Sequence, residues 1–276
     1  EGLNGLVLDV KVGSGAFMKS QETANELARI LVDTGKAVGV ATTAFITDMN
    51  QPLGCAIGNA NETQEALRVL HGQGPNDLVE ITTLLGGEMC VLGGVAESLE
   101  AGRRMITNAI ESGAAIGLME KMVEAQGGNP EVCAPDYEFP KAPVMREVRA
   151  SRSGIISGFD NEAFGWAMID LGGGRRQVSD SIDHAVGINV PCKVGDKITV
   201  GDVLAKCVRL VVVEEPEGHA RQARNARLGR SRSGREARRF RVRRSPGRHE
   251  VVDHGAASAR QRLRRGATQE VNFDYR

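Results

Sequence analysis

The chain has 276 residues, 41% of them hydrophobic, with 35 basic and 35 acidic residues. That length allows one large domain or two smaller ones with buried cores, which predicts a globular protein. The balanced charge argues against a strongly charged partner. The balance hides a segregation, however, because the segment from Arg221 to Arg276 contains 17 arginines and no lysine.

Targeting signals and cysteines indicate the compartment. The sequence has no apolar run of about 18 residues that would span a membrane, and no charged-then-apolar leader. The chain opens with Glu1 almost directly before a strand pattern, so we expect a truncated start. The five cysteines form no CxxC pair and no Cys/His cluster suited to zinc: Cys55, Cys90, Cys133, Cys192 and Cys207. We therefore expect reduced structural thiols in a cytoplasmic protein.

The first part of the chain predicts a strand, a turn and a helix. Gly5 to Val12 is a short apolar run typical of a buried parallel strand. A glycine-rich turn follows over 13–15. Glu22 to Val38 then places apolar residues on one helical face, with Ser20 available as the N-cap.

A second unit of the same kind follows. It consists of a strand from Val40 to Thr47, a polar loop from Asp48 to Gly54 and a helix from about Asn61 to His71. Asn59 and Glu62 fit a capping box at the start of that helix. Alternating strands and helices imply parallel strand pairs with right-handed crossovers, so the predicted fold class is α/β, a mixed sheet with helices.

The composition changes twice after these units. From Asp77 to Gln126 the apolar spacing predicts helices that cover the sheet. Glycines and prolines from Gln126 to Pro143 predict an interdomain connection, so we place a boundary near residue 145. Residues 1–145 would form the α/β domain, 146–208 a small β-rich, barrel-sandwich-like module and 209–276 a separate tail. The expected β pieces are Val144–Arg149, Gly154–Ser157, Ala167–Leu171 and Ile198–Cys207.

Two loops could bind ions. In VGSGAF, Val12 to Phe17, backbone amides before a helix could hold phosphate. The sequence lacks GxGxxG and a Gly-Lys-Ser/Thr pair there, so a structural turn is favoured. From Asp48 to Glu65, loop carbonyls lie close in sequence to a helical carboxylate, an oxygen set that suits potassium, calcium or magnesium. On the residues alone, a solvated loop is the favoured alternative.

A hairpin pattern in the β-rich module gives a third candidate. The segments Lys193 to Ile198 and Gly201 to Leu204 resemble hairpins of barrel-sandwich modules that carry biotin or lipoate. The Met-Lys-Met type sequence of biotin modules is absent. A structural β module is therefore favoured over a carrier.

Four segments, in this order, resemble pyrimidine-nucleoside and thymidine phosphorylases. They are GLVLDVKVGSGAFMKS, TDMNQPLGCAIGNANETQEAL, GQGPNDLVEITTLLGGEM and LGGGRRQVSDSIDHAVGI. The resemblance spans about Gly5 to Lys206. It implies a homodimeric, cytoplasmic pentosyltransferase with a small helical domain, a large α/β domain and a C-terminal β-rich module.

The resemblance also implies a reaction. Such an enzyme would convert thymidine, deoxyuridine or uridine and inorganic phosphate into the free base and a pentose 1-phosphate, without an organic cofactor. The family places its phosphate-binding and pyrimidine-holding polar residues before the VLDVKVGSGAF strand. No residue here matches them, so the catalytic residues are unknown and we expect no independent catalysis from this chain.

Some site residues can be assigned from the resemblance. Phe17, with Met18 beside it, matches a hydrophobic position on the pyrimidine side of the cleft. Leu53 and Ala56, through main-chain oxygens, and Glu65, through its carboxylate, match a potassium site whose other ligands would precede this chain.

The roles of Asp9 and Lys11 on the first strand have two interpretations. Asp9 and Lys11 are candidates for a scaffold role near the cleft. A local ion pair is the equal alternative, because surface pairs contribute little to stability.

The resemblance stops after Lys206, where the arginine-rich tract begins. Dense arginine could bind nucleic acid without sequence specificity. A reading-frame shift in a GC-rich gene would also give arginines without lysine and no apolar periodicity. We favour the frame shift, which predicts a disordered or non-family tail and no nucleic-acid partner.

Overall fold

A computed structural model of the chain describes residues 2–209 and 240–243, and it begins with two parallel strands. β1 (Gly5–Val12) pairs with β2 (Ala41–Asp48) along its whole length. α1 (Gln21–Ala37) connects them, and Ser20 caps its start by accepting a hydrogen bond from the Thr23 amide. The predicted strand, turn, helix and strand are confirmed, with β2 beginning one residue later than predicted.

Four helices follow a short third strand. β3 (Ala56–Gly58) leads into α2 (Ala60–Leu70), α3 (Asn76–Leu92), α4 (Leu99–Glu111) and α5 (Ala114–Ala125). The helical stretch predicted from the apolar spacing is confirmed as α3, α4 and α5. A 3-10 helix (Pro130–Cys133) comes next.

The two faces of the β1–β2 sheet bury separate apolar clusters. On one face, Val10 and Ile46 pack with Ala24 and Ala28 of α1. On the other face, Phe45 packs with Ile81 and Leu84 of α3. Helices cover both faces because a parallel strand is apolar on both sides.

The predicted capping box at the start of α2 is wrong in its partners. The Asn59 side chain makes no cap hydrogen bond. Its Nδ2 instead donates to the Gly173 carbonyl at 3.0 Å, and the Glu62 carboxylate accepts from the Gly58 amide at 2.8 Å. The Asn59 side chain therefore donates to a distant backbone carbonyl and does not accept from an amide of the first helical turn.

The C-terminal elements form two small antiparallel sheets. They are β4 (Val144–Arg149), β5 (Gly154–Phe159), α6 (Asn161–Leu171), β6 (Gly187–Asn189), β7 (Lys197–Ile198), β8 (Val203–Arg209) and β9 (Phe240–Arg243). One sheet has the order β3-β6-β8-β4 and the other β7-β5-β9. Because β3 belongs to the first sheet, strand pairing crosses the predicted boundary near residue 145. The likeness to a barrel sandwich stays a prediction.

Two predicted β pieces differ from the structure. Ala167–Leu171 was expected as β and is the second half of α6. Asp160 caps this helix by accepting from the Ala163 amide, and Phe164, Ala167 and Met168 share its buried face. The short apolar run concealed this helical spacing. Ile198–Cys207 was expected as one piece, but a turn divides it between β7 and β8.

Most of the predicted tail, 210–239 and 244–276, lies outside the described residues. The expectations of a frame shift, of disorder and of no nucleic-acid binding fall there and stay predictions. Residues 240–243, within the tract, form β9 beside β5. In the part of the chain that the structure describes, no helix is long and apolar enough to cross a membrane.

Candidate active-site cleft and cation loop

An open cleft lies beside the carboxyl end of β1, between the glycine-rich turn, α1 and α6. Its volume is about 940 Å³, and its lining includes Asp9, Phe17, Leu31, Met49, Trp166 and Ile169. Ligands of parallel α/β sheets bind at this end of the strands. The cleft is therefore where the fold favours a ligand.

The glycine-rich turn is closed by its own hydrogen bonds. The Gly13 amide donates to the Met18 carbonyl, and the Gly15 amide to the Met49 carbonyl. The Ser14 amide donates to the Asn50 side chain, and Ala16 donates back to Gly13. These amides already have protein acceptors, which supports the structural turn over a phosphate cradle.

Both predicted substrate-binding residues, Phe17 and Met18, line the cleft. The Phe17 side chain is 98% exposed. Met18 is partly buried and also packs against the core beside α1, and its carbonyl closes the turn. Phe17 thus exposes its ring at the edge of the cleft, whereas Met18 anchors the turn.

α6 forms a wall of the cleft that the sequence did not predict. Asn161 Nδ2 donates to the Met49 carbonyl at 2.9 Å. A Cβ on Gly15 would lie 2.7 Å from Asn161 Cβ, so only glycine allows this approach. The half-exposed Trp166 on the same helix also lines the cleft. The single tryptophan of the chain was the one signal available, and its segment was partly misassigned to a strand.

Asp9 and Lys11 form a closed triangle with Thr47 of β2. Lys11 Nζ lies 2.6 Å from Asp9 Oδ2 and donates to Thr47 Oγ1 at 2.8 Å. Thr47 Oγ1 in turn donates to Asp9 Oδ1. The triangle links the carboxyl ends of both strands, as a local ion pair and a scaffold would.

The Glu65 carboxylate is held against the loop that precedes β3. It accepts hydrogen bonds from the Cys55 amide at 3.0 Å and from the Ala56 amide at 3.1 Å. Gly54 has φ +65°, and a Cβ there would lie 2.2 Å from Glu65 Oε2. The structure thus holds Glu65 of α2 against the loop that contains Leu53 and leads into β3 at Ala56.

Sequence reasoning missed the ion pair that holds this loop from the other side. Lys193 Nζ lies 2.6 Å from Asp77 Oδ2 and donates to the Pro52 carbonyl at 2.7 Å and to the Gly54 carbonyl. Lys193 stood out only as part of a possible carrier hairpin. A bonded ammonium of this kind is unlike the exposed lysine that a carrier presents.

The oxygen atoms around the loop suit an alkali cation. Carbonyl and carboxylate oxygens are ligands that hard cations prefer. Two carboxylates, Glu65 and Asp77, and one ammonium, Lys193, leave one net negative charge there. Among residues 2–209 and 240–243, no group of three or more His, Cys, Asp or Glu is placed to hold a metal ion.

Three thiols of the chain have raised pKa values. Burial, and after it the Glu65 carboxylate, raises the pKa of the Cys55 thiol. Burial likewise raises the pKa values of Cys133 and Cys192. A raised pKa keeps a thiol protonated, so these groups are poor nucleophiles.

Two family models match the chain. A model of the glycosyl transferase family, a/b domain, matches residues 1–116. A model of the pyrimidine nucleoside phosphorylase C-terminal domain matches residues 155–207. The cleft thus lies between the two matched regions, because β1, the glycine-rich turn and α1 fall in the first and α6 falls in the second.

Several curated relatives are called pyrimidine-nucleoside phosphorylase. Those from Staphylococcus aureus strains bovine RF122 / ET3-1, USA300 and COL are each 46% identical over 203 residues. The match covers 74% of this chain and 47% of each relative, so the chain spans about half their length. The chain belongs to the pyrimidine-nucleoside phosphorylase family, a family of pentosyltransferase enzymes.

Proposed function

We propose that the protein containing this chain phosphorolyses pyrimidine nucleosides such as thymidine, deoxyuridine or uridine. A phosphate oxygen forms a bond to C1′ as the bond from C1′ to the base nitrogen breaks. The electron pair leaves with the base, which takes up a proton, and a pentose 1-phosphate results. The observation that carries the proposal is the 46% identity over 203 residues to enzymes of that name.

The cleft has the chemistry for the base side of this reaction. A pyrimidine is a flat ring, and an exposed aromatic face such as Phe17 can stack on it. Leu31, Trp166 and Ile169 add apolar surface to the same cleft. Apolar walls also help to exclude water while negative charge develops on the leaving base.

The activity is proposed for the whole protein. The chain spans 47% of the length of its relatives. The phosphate-binding groups that the resemblance places before the first strand match no residue here. We therefore expect the chain alone to be inactive, and the homodimer and the cytoplasmic location belong to the same proposal.

A potassium ion is the further component of the proposal. The Leu53 and Ala56 carbonyls and the Glu65 carboxylate would hold it, together with ligands from elsewhere in the whole protein. When bound, the ion would supply positive charge that stabilises the loop. These three ligands alone should bind it weakly.

The reaction can be tested by incubating the whole protein with each nucleoside. We expect free base and pentose 1-phosphate in equal amounts, and only when phosphate is present. Release of base without phosphate would show hydrolysis instead. Turnover of purine nucleosides with none of the pyrimidine ones would overturn the proposed substrate class.

The role of Phe17 can be tested in the same assay. Phe17→Ala should raise KM for the nucleoside and leave KM for phosphate unchanged, because a ring stacked on the base would not contact the phosphate. Loss of one stacked aromatic contact corresponds to roughly 3- to 10-fold in KM. Val38→Ala, at an exposed position just beyond α1, is the matched control. Equal KM values for Phe17→Ala and the unchanged protein would remove Phe17 from the site.

A further inference from the structure

The Lys193 ammonium lies where the C-terminal module meets the loop between β2 and β3, residues 49–55, which is called the cation loop below. Its three acceptors are the Asp77 carboxylate at 2.6 Å, the Pro52 carbonyl at 2.7 Å and the Gly54 carbonyl. An ammonium group has three N–H donors, so this set saturates it. The side chain is 26% exposed. Lys193 therefore binds Gly54 and Pro52, which lie 139 and 141 residues earlier in the chain.

Two carboxylates hold the amides of the same loop. Asp77 accepts from the Gly54 amide at 3.1 Å. Glu65 accepts from the Cys55 and Ala56 amides. The ammonium therefore holds two loop carbonyls while the carboxylates hold three successive amides, those of Gly54, Cys55 and Ala56, and Asp77 takes part in both sets.

The hairpin around Lys193 is itself docked on the loop. The Val194 amide donates to Gln51 Oε1 at 2.9 Å. The Val190 amide donates to the Cys55 carbonyl at 2.7 Å. These two hydrogen bonds, one on each side of Lys193 in the chain, hold the Lys193 backbone beside the loop.

We infer that Lys193 is a positioning residue for the cation site, and this inference rests on the proposed potassium site. By fixing the Pro52 and Gly54 carbonyls, Lys193 sets the direction of the Leu53 carbonyl between them. Its bond to Asp77 ties the same loop to the start of α3. The C-terminal module thereby controls the geometry of three ligands that it does not itself supply.

Hydrogen exchange tests the positioning role without any bound potassium. In sodium buffer, Lys193→Met should speed exchange of the Gly54, Cys55 and Ala56 amides about tenfold, the factor expected when a charged hydrogen bond is lost. Lys197→Met is the matched control, because Lys197 is exposed on β7 in the same hairpin. Equal exchange in both variants would overturn the inference, even if potassium binds.

Potassium titration of the whole protein then tests the link to the cation site. Thermal stability is followed as KCl replaces NaCl at constant ionic strength. Lys193→Met should weaken potassium binding by ~10- to 100-fold, as loss of a group that orients metal ligands does. Lys197→Met should leave it unchanged. Unaltered potassium binding in Lys193→Met would overturn the control of the site by Lys193.

Hydrogen exchange and potassium titration distinguish a failure of the Lys193 inference from a failure of the proposed potassium site. Absence of a potassium effect in the unchanged protein would overturn the cation site, whereas the exchange result would still decide whether Lys193 orders the loop. Should Lys193→Met fail to fold, Asp77→Asn is the second variant, since it keeps the side-chain shape and removes the charge. Lys193→Arg, which keeps the charge, should retain most of the amide protection.

Discussion

The two parts of the molecule are built around cores of different kinds. In the module of β4 to β8 and α6, thirteen buried residues form one continuous cluster. In the longer α/β part, the β1–β2 sheet divides its core into one cluster of four buried residues and another of three. Each of these two clusters is therefore much smaller than the single cluster of the module.

The strand arrangement explains this difference. The module closes strands and α6 around one interior. Among the residues described, the parallel sheet has two strands, each face covered by one helix. Two-stranded sheets are marginal without packing partners. The cleft and the cation loop thus lie where the less continuous core meets the more continuous one.

The largest effect should come from the divided core. Phe45 is 1% exposed and packs with Ile81 and Leu84 alone in its cluster of buried residues. Phe45→Ala should lower the free energy of unfolding by about 3–5 kcal/mol, measured by chemical denaturation. Leu3→Ala, at a half-exposed position, should change it by less than about 0.5 kcal/mol.

The Phe45→Ala variant also tests whether the two parts of the molecule unfold independently. If they are separate in stability, hydrogen exchange in Phe45→Ala should rise in residues 2–125 and stay slow in the module. A uniform rise across both parts would show one cooperative unit. The difference between the cores would then have no consequence for unfolding.

A smaller effect should come from the helix pair that covers the sheet. At the crossing of α3 and α4, a Cβ on Gly102 would lie 2.2 Å from the Gly87 carbonyl oxygen. Gly102→Ala should therefore lower stability by about 1–3 kcal/mol, because backbone must move.

Gly117 on α5 is the matched control for this crossing. A Cβ there would meet nothing within 4 Å. Gly117→Ala should raise stability by up to about 1 kcal/mol, since alanine is the better helix former. Both variants can be compared in one series of denaturation curves. If Gly102→Ala is as stable as the unchanged protein, α3 and α4 can move apart at their crossing at little cost in free energy.

Local pattern was enough to predict much of the fold. β1, α1 and the Ser20 cap follow from spacing and capping within about ten residues of each position. α6 was partly missed, because Ala167 to Leu171 alone is too short to separate a helix from a strand. The pairing of β3 with β6 joins residues more than 120 positions apart, and no local signal encodes it.

The candidate site divides in the same way. Glu65 and its loop were predicted from a contiguous segment that resembles the family. Lys193 was not, because its role exists only once the module has docked on that loop. The closed glycine-rich turn shows the converse, since its sequence allowed a phosphate site and its hydrogen bonds instead use the amides internally.

The smallest expected effect concerns a turn of the module. In the turn between β7 and β8, hydrogen bonds from Thr199, first from its amide at 2.7 Å, lower the pKa of Asp202 below 3.8. Because folding lowers this pKa, the ionised Asp202 carboxylate stabilises the fold above pH 3.8. That contribution is lost as the pH falls through the folded-state pKa. Asp202→Asn should therefore be less stable than the unchanged protein near neutral pH.

Denaturation curves from pH 2 to 7 would check this sign, since the difference between Asp202→Asn and the unchanged protein should vanish at the acid end. Asp180→Asn should behave alike, because hydrogen bonds from the Arg176 and Gln177 amides lower the pKa of Asp180. A difference that persists at low pH would mean that geometry, and not charge, explains the loss. Because Asp202 is exposed and Asp180 is only partly buried, neither change should approach the effect of Phe45→Ala, which removes a side chain from the buried core.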